Sequence, residues 1–191
     1  MNDADEYYTP GWCLDAIFGE MRWEKCTSGF LEPCAGDGRI VTRVLDLSVI
    51  LADCVHAYEI NNPSTYCIDG SDYLAHDLKP HGIDLCITNP PFSLWIEFTQ
   101  KALRECKGVI MLGRLSMLGT KKRKGFWRGN RPSHMWVLSE RPSFEGPAAD
   151  AAQRRAKMEG KTKSKTDNSE YAWFGWRMEP FAWKPPGIYH L

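Results

Sequence analysis

Ten consecutive residues, Ile83-Asp84-Leu85-Cys86-Ile87-Thr88-Asn89-Pro90-Pro91-Phe92, limit the fold of this chain more than any other stretch. Leu85, Cys86 and Ile87 make a short apolar run after a lone Asp84, as expected for a strand buried on both faces of a parallel sheet. Pro90 and Pro91 have no N–H to donate, so strand pairing must stop there and the backbone is fixed. Asn89 therefore belongs at the carboxyl end of a central strand, the edge where open α/β sheets bind their ligands.

The 191 residues suit one domain, 1–191, large enough to bury a core. With no apolar run long enough to span a bilayer and no signal peptide, the expectation is a soluble, cytoplasmic protein with no membrane partner. Cys13, Cys26, Cys34, Cys54, Cys67, Cys86 and Cys106 are scattered, odd in number and lack a C-x-x-C pair. They read as reduced core thiols, and with no ligand spacing among the five histidines no metal is expected. The formal net charge is +0. Yet residues 1–100 hold 5 Lys+Arg against 16 Asp+Glu, and residues 101–191 hold 19 against 8. The halves thus carry about −11 and +11, and the second can meet a polyanion.

Tyr7-Tyr8-Thr9-Pro10 leads into Leu14, Ile17, Phe18 and Met21 at helical spacing, with Thr9 placed as cap and Pro10 in the first turn. A strand ending at Glu32 runs into Pro33-Cys34-Ala35-Gly36-Asp37-Gly38, where Gly36 and Gly38 let backbone come close to a ligand. The third glycine of the dinucleotide fingerprint is missing. The strand Val55–Ile60 closes on Glu59, whose carboxylate can accept ribose hydroxyl protons, with Ile60 against an adenine face. Ser93 is placed to cap a helix carrying Trp95, Phe98, Ala102 and Cys106, with Gly108 at its end.

Residues 119–131 interleave Lys121, Lys122, Arg123, Lys124, Arg128 and Arg131 with Phe126 and Trp127. Cations follow phosphates and rings stack on unstacked bases, so the stretch reads as a nucleic-acid contact loop. Residues 147–169 read as a second basic, mobile loop. Met135–Leu138 and Tyr171–Trp176 read as strands, with Phe181-Ala182-Trp183 returning beside the latter.

An amine conjugated to a ring is a poor nucleophile because its lone pair is delocalised. If the Asn89 side-chain oxygen and the Pro90 carbonyl accept its two hydrogens, the nitrogen can pyramidalise and aim that pair at an electrophile. Phe92 would stack on the ring. Asn89-Pro90-Pro91-Phe92 resembles the catalytic motif of S-adenosylmethionine-dependent amino-methyltransferases, especially those acting on the 6-amino group of adenine. Glu32 to Gly38 resembles their acid-Pro-x-x-Gly-x-Gly loop, and Gly70-Ser71-Asp72-Tyr73-Leu74 their third cofactor motif, with Asp69 and Asp77 as competitors for the role of Asp72.

The resemblance runs from Tyr8 to about Trp176, in the motif order of the gamma group and of small phage-type enzymes. It implies an α/β fold, a Rossmann-like class I methyltransferase sheet of seven mostly parallel strands with one antiparallel strand. It implies S-adenosylmethionine as cofactor, held by Tyr8, Thr9, Pro10, Glu32, Cys34, Ala35, Gly36, Asp37, Gly38, Glu59, Ile60, Asp72, Tyr73 and Asn89. Catalysis would fall to Asn89, Pro90, Pro91 and Phe92. The substrate would be met by Phe92, Phe144 across the flipped base, and the basic loop through Lys121, Lys122, Arg123, Lys124, Trp127 and Arg128.

The implied reaction is methylation of the adenine 6-amino group in DNA by base flipping, with structured RNA as runner-up, in a monomer or weak dimer. With no separate target-recognition domain, little sequence discrimination is expected. A protein glutamine methyltransferase shares Asn-Pro-Pro but leaves the basic loop unexplained; a nucleic-acid-binding module without turnover is the third rival. A cytosine ring mechanism needs a cysteine nucleophile, and Cys34 sits within the cofactor loop instead.

Overall fold

The computed structural model describes residues 7–48, 50–61, 72–75, 82–158 and 169–191. Its strands are β1 (Phe30–Glu32), β2 (Val55–Ala57), β3 (Ile83–Thr88), β4 (Cys106–Arg114), β5 (His134–Val137), β6 (Tyr171–Trp176) and β7 (Gly187–His190). They form one sheet in the order β2-β1-β3-β4-β6-β5-β7. β2, β1, β3 and β4 pair in parallel, β6 runs against both β4 and β5, and β7 lies parallel to β5. The expected mostly parallel, seven-stranded sheet with one reversed strand is what forms.

β3 is buried along its whole length and ends at Thr88, directly before Asn89-Pro90-Pro91. Its lone acid is structural. Asp84 is almost fully buried, its Oδ2 accepting the N–H groups of Thr27 and Ser28 at 2.8 and 2.6 Å and its Oδ1 pairing with Lys107 at 2.8 Å. Burial alone would raise its pKa, but Lys107 and the two N–H groups outweigh that and hold the carboxyl below the ordinary value of 3.8.

Alternation along each strand divides the core into two layers. On one face α1 (Gly11–Gly19) and α2 (Arg39–Asp46) pack against Leu85, Ile87, Ile110, Leu112 and Trp173. On the other, α3 (Trp95–Glu105) and α4 (Lys124–Gly129) cover Cys86, Val109, Met111 and Phe174. Rings dominate that second layer, with Trp95 within 5.5–6.1 Å of Phe126, Trp127, Phe174 and Trp176.

Several local expectations are corrected. Pro10, not Thr9, takes the cap position of α1 and uses its carbonyl to accept the Cys13 N–H, while Thr9 is buried. Leu94, not Ser93, precedes α3, with no side-chain cap. Gly108 lies inside β4, because a Cβ there would stand 2.7 Å from the Phe181 ring; it makes room for a side chain and does not end a helix.

Residues 119–131 are a 3₁₀ turn (Lys121–Arg123) and α4, not an open loop, and Pro147–Met158 is helix α5 where a loop was expected. Phe181 and Ala182 do not return beside β6; Ala182 bridges to Met21, and the chain comes back as β7 against β5. Gly70, Ser71, Asp69 and Asp77 lie outside the described residues.

Candidate active site

The sheet order changes direction between β1 and β3, where crossovers leave to opposite sides and strand ends cannot be covered by one connection. There, beyond the carboxyl ends of β1, β2 and β3, opens a cleft of about 700 Å³, part of it open to solvent. Cys34 and Gly36 line it from the loop after β1, Glu59 and Ile60 from the end of β2, and Asn89 and Pro91 from the end of β3. Asp72, Tyr73 and Phe98, and Tyr8, Thr9, Asp37 and Arg39, complete its lining.

The loop after β1 turns back through glycines with positive φ, +53° at Gly36 and +83° at Gly38, which L side chains rarely adopt. The Gly36 N–H donates to Glu59 Oε2 at 2.8 Å, while Glu59 Oε1 accepts the Asn61 N–H at 2.9 Å. A Cβ at Gly36 would stand 3.1 Å from the Tyr8 ring, and one at Gly146 3.0 Å from the other edge of that ring. Glycine on both sides thus seats Tyr8, which also pairs through its backbone with Glu145. Arg39 locks the arrangement, donating to the Thr9 carbonyl at 2.7 Å and pairing with Asp37 and Glu145.

Glu32 is drawn elsewhere than expected. It is fully buried behind the loop, outside the cleft wall, with Oε1 accepting the Cys34 N–H at 3.0 Å. Burial pushes its carboxyl well above the usual range, opposed by the Cys34 N–H. Thr88 Oγ1 is outside hydrogen-bond geometry, so it and Glu32 Oε2 both stand unpaired among the described residues. Burial, followed by the charges of Glu32 and Glu59, also holds the Cys34 thiol well above its ordinary value, so it is no thiolate nucleophile.

Asn89 is the pivot. Its Nδ2 donates to the Tyr7 carbonyl at 2.9 Å, and its Oδ1 is buried with no hydrogen-bond partner among the described residues. An unmatched amide oxygen is costly to keep, about 1–3 kcal/mol, unless something outside the chain satisfies it. Beside it stands an aromatic enclosure: Phe92 lies 6.4 Å from Tyr7 at 25°, 6.3 Å from Phe144 at 73° and 5.7 Å from Tyr171 at 42°. The Arg114 guanidinium sits 4.9 Å over the Phe92 ring and donates to the Tyr171 hydroxyl at 3.1 Å.

Asp72 and Tyr73 both reach the cleft. Asp72 Oδ1 accepts the Leu74 N–H at 2.9 Å, while the buried Tyr73 donates its hydroxyl to Glu105 at 2.6 Å and stacks on Phe98 at 5.7 Å. Of the remaining expected residues, Ala35 lines the wall, whereas Pro10, Gly38, Pro90 and Phe92 lie off it.

The basic stretch is separate. Lys121, Lys124, Arg128 and Arg131 ring a shallow hollow with Thr120 and Leu118, while Lys122 is exposed outside it and the Arg123 guanidinium turns to the Ser116 carbonyl. Trp127 also lines the hollow, with its ring packed on Trp176 at 6.4 Å and 12° and its Nε1 donating to the Met117 carbonyl at 2.9 Å.

Tyr7, Arg39, Arg114 and Tyr171 were not foreseen. The only signal for Tyr7 was an aromatic pair directly before Thr-Pro; nothing local marks Arg114 or Tyr171, which reach Phe92 through strand pairing.

No sequence-family model and no curated protein matches the chain. Solved structures do. One is a Listeria monocytogenes protein provisionally assigned as a class I S-adenosylmethionine-dependent methyltransferase (17% identity, TM-score 0.58, 97% of this chain and 65% of that one). Another is the methyltransferase subunit of a type I restriction-modification system from Streptococcus thermophilus (13%, 0.60, 92% and 46%). A third, from Pyrococcus horikoshii, is provisionally assigned as an RNA methyltransferase (14%, 0.57, 94% and 87%). The chain thus spans about two thirds of the first and under half of the second. Sheet order, the single reversed strand and these likenesses together establish the Rossmann-like fold of the class I methyltransferases.

Proposed function

We propose that this chain transfers a methyl group from S-adenosylmethionine to the exocyclic 6-amino group of adenine in nucleic acid, with DNA the first candidate. The observation that carries the reading is the buried Asn89 Oδ1, unpaired among the described residues at the carboxyl end of β3, while Nδ2 is anchored, beside a cleft shared with the glycine loop. Such an oxygen accepts one hydrogen of an aromatic amine and lets its lone pair turn outward.

The cleft fits the cofactor. Tyr73, Phe98 and Ile60 offer apolar walls for a nucleoside, with Glu59 and Asp72 as acceptors for its hydroxyl and amino hydrogens. Tyr8, Thr9 and the small Cys34-Ala35-Gly36 wall suit the amino-acid end. S-adenosylmethionine, when bound, supplies a methyl group on a positively charged sulfur. The chain's part is to hold the amine in line with that carbon. As the nitrogen–carbon bond forms and the carbon–sulfur bond breaks, the amine sheds a proton to solvent. No covalent bond to the enzyme is needed, in keeping with the protonated Cys34.

Among the described residues no cluster could hold a metal and no helix is long and apolar enough to cross a membrane. The four cations around the hollow support a phosphate backbone as partner. Structured RNA is the second reading, favoured by Phe92 where many DNA enzymes carry Tyr. The test is incubation with radiolabelled methyl donor and DNA, RNA and protein acceptors, followed by nucleoside analysis. The expected product is N6-methyladenine; label found only in protein would overturn the proposal.

A further inference from the structure

Resting on the nucleobase reading above, we propose that the acceptor ring is held between Tyr7 and Phe92, with Phe144 closing the end of the slot. The resemblance led instead to Phe144 as the wall facing Phe92. The ring angles decide between them. Tyr7 is inclined only 25° to Phe92 with centroids 6.4 Å apart, whereas Phe144 stands edge-on to both, at 73° to Phe92 and 64° to Tyr7. A flat ring making ordinary contacts of about 3.5 Å on each face needs walls about 7 Å apart. The nearly parallel Tyr7 and Phe92 rings, with centroids at the distance of an ordinary aromatic pair, admit a base when they part, while an edge-on ring offers no second face.

Tyr7 acts at two atoms. Its carbonyl accepts the Asn89 Nδ2 hydrogen, which leaves the buried Oδ1 as the amide atom without a partner among the described residues. Its ring then fixes the plane in which that amine arrives. The residue also lines the cofactor cleft and directly precedes Tyr8, seated between Gly36 and Gly146. One short backbone segment therefore aligns the acceptor ring, the acceptor oxygen and the cofactor loop. The substrate class follows: a planar heteroaromatic amine fills such a slot, and the carboxamide of a glutamine side chain does not.

Tyr7→Ala deletes the ring but keeps the carbonyl that anchors Asn89, so the two roles separate. The experiment uses the full chain and an oligonucleotide whose adenine the wild type methylates, together with a second, binding-only oligonucleotide that carries 2-aminopurine at that position to report unstacking. Tyr7→Ala, Tyr7→Phe and Phe144→Ala are compared for acceptor KM, kcat and affinity for S-adenosylhomocysteine. Removing one base-stacking ring raises acceptor KM about tenfold to a hundredfold. Tyr7→Ala is expected in that range with a weakened 2-aminopurine response, and with a loss of S-adenosylhomocysteine affinity smaller than the rise in acceptor KM, because Tyr7 also lines the cleft. Tyr7→Phe restores wild-type values, and Phe144→Ala has the smaller effect. If Tyr7→Ala keeps its KM and signal while Phe144→Ala loses both, the slot is wrong and the adenine reading stands. If the wild type binds S-adenosylhomocysteine yet methylates no nucleobase, the function itself fails and the slot with it.

Discussion

The two halves of the sheet finish their strands in opposite ways. Where β1, β2 and β3 end, polar groups face a cleft, and Glu32 Oε2, Thr88 Oγ1 and Asn89 Oδ1 are buried without partners among the described residues. Where β4, β5 and β6 run, Trp95, Trp127, Phe174 and Trp176 fill the space with interlocking rings, and the indole N–H groups of Trp95, Trp127 and Trp176 all find carbonyls. One half keeps binding capacity in reserve at a cost in stability; the other supplies stability to hold it. Charge follows the same division, the acids falling in the first hundred residues and the cations outside the aromatic layer, where a polyanion can reach them.

The sharpest break in that comparison is Trp127→Ala. If its ring belongs to the aromatic layer, urea denaturation should show a destabilisation of about 3 kcal/mol, at the lower end for a Trp deletion because the residue is half-buried. Unchanged stability with abolished nucleic-acid binding would make it the stacking platform first expected.

Asp84→Asn tests the acidic half. Exchanging the charged acceptor of two backbone N–H groups for a neutral amide should cost about 1–3 kcal/mol at neutral pH, with the exposed Lys107 contributing the least. Because the folded carboxyl lies below 3.8, its contribution is complete above that pH and fades as pH falls through the depressed value. The gap between wild type and variant should therefore narrow below about pH 4 in the same titration.

Replacing Lys121, Lys124 and Arg128 with glutamine should move stability by less than about 0.5 kcal/mol. It should lower substrate affinity and flatten its salt dependence, by roughly one unit of log-log slope for each phosphate that is no longer neutralised. An unaltered slope would make the hollow ordinary surface.

What could be read from the sequence was local. The glycine turn shows because Gly36 and Gly38 adopt backbone few residues tolerate, and β3 because Pro90 and Pro91 end it. Both demands are written in neighbouring residues. Tyr7 meets Asn89 across 82 positions, and Arg114 meets Tyr171 across 57 through β4–β6 pairing, contacts no local pattern encodes. Gly108 misled because a glycine after a helical run looks the same whether it ends the helix or makes room for Phe181. Of the two rings at 126 and 127, α4 buries Phe126 and leaves Trp127 half-buried at the hollow, while Lys121, Lys124 and Arg128 stay exposed, a helical partition hidden among so many cations.

Single-turnover transfer to adenine by Asn89→Ala, with S-adenosylhomocysteine affinity measured on the same preparation, bears most directly on the claim that one unpaired amide oxygen activates the acceptor. The account predicts a rate lower by about 10²–10³-fold, the range for removing one preorganised hydrogen-bonding group from a transition state, with cofactor affinity nearly intact. Transfer at the wild-type rate would contradict it.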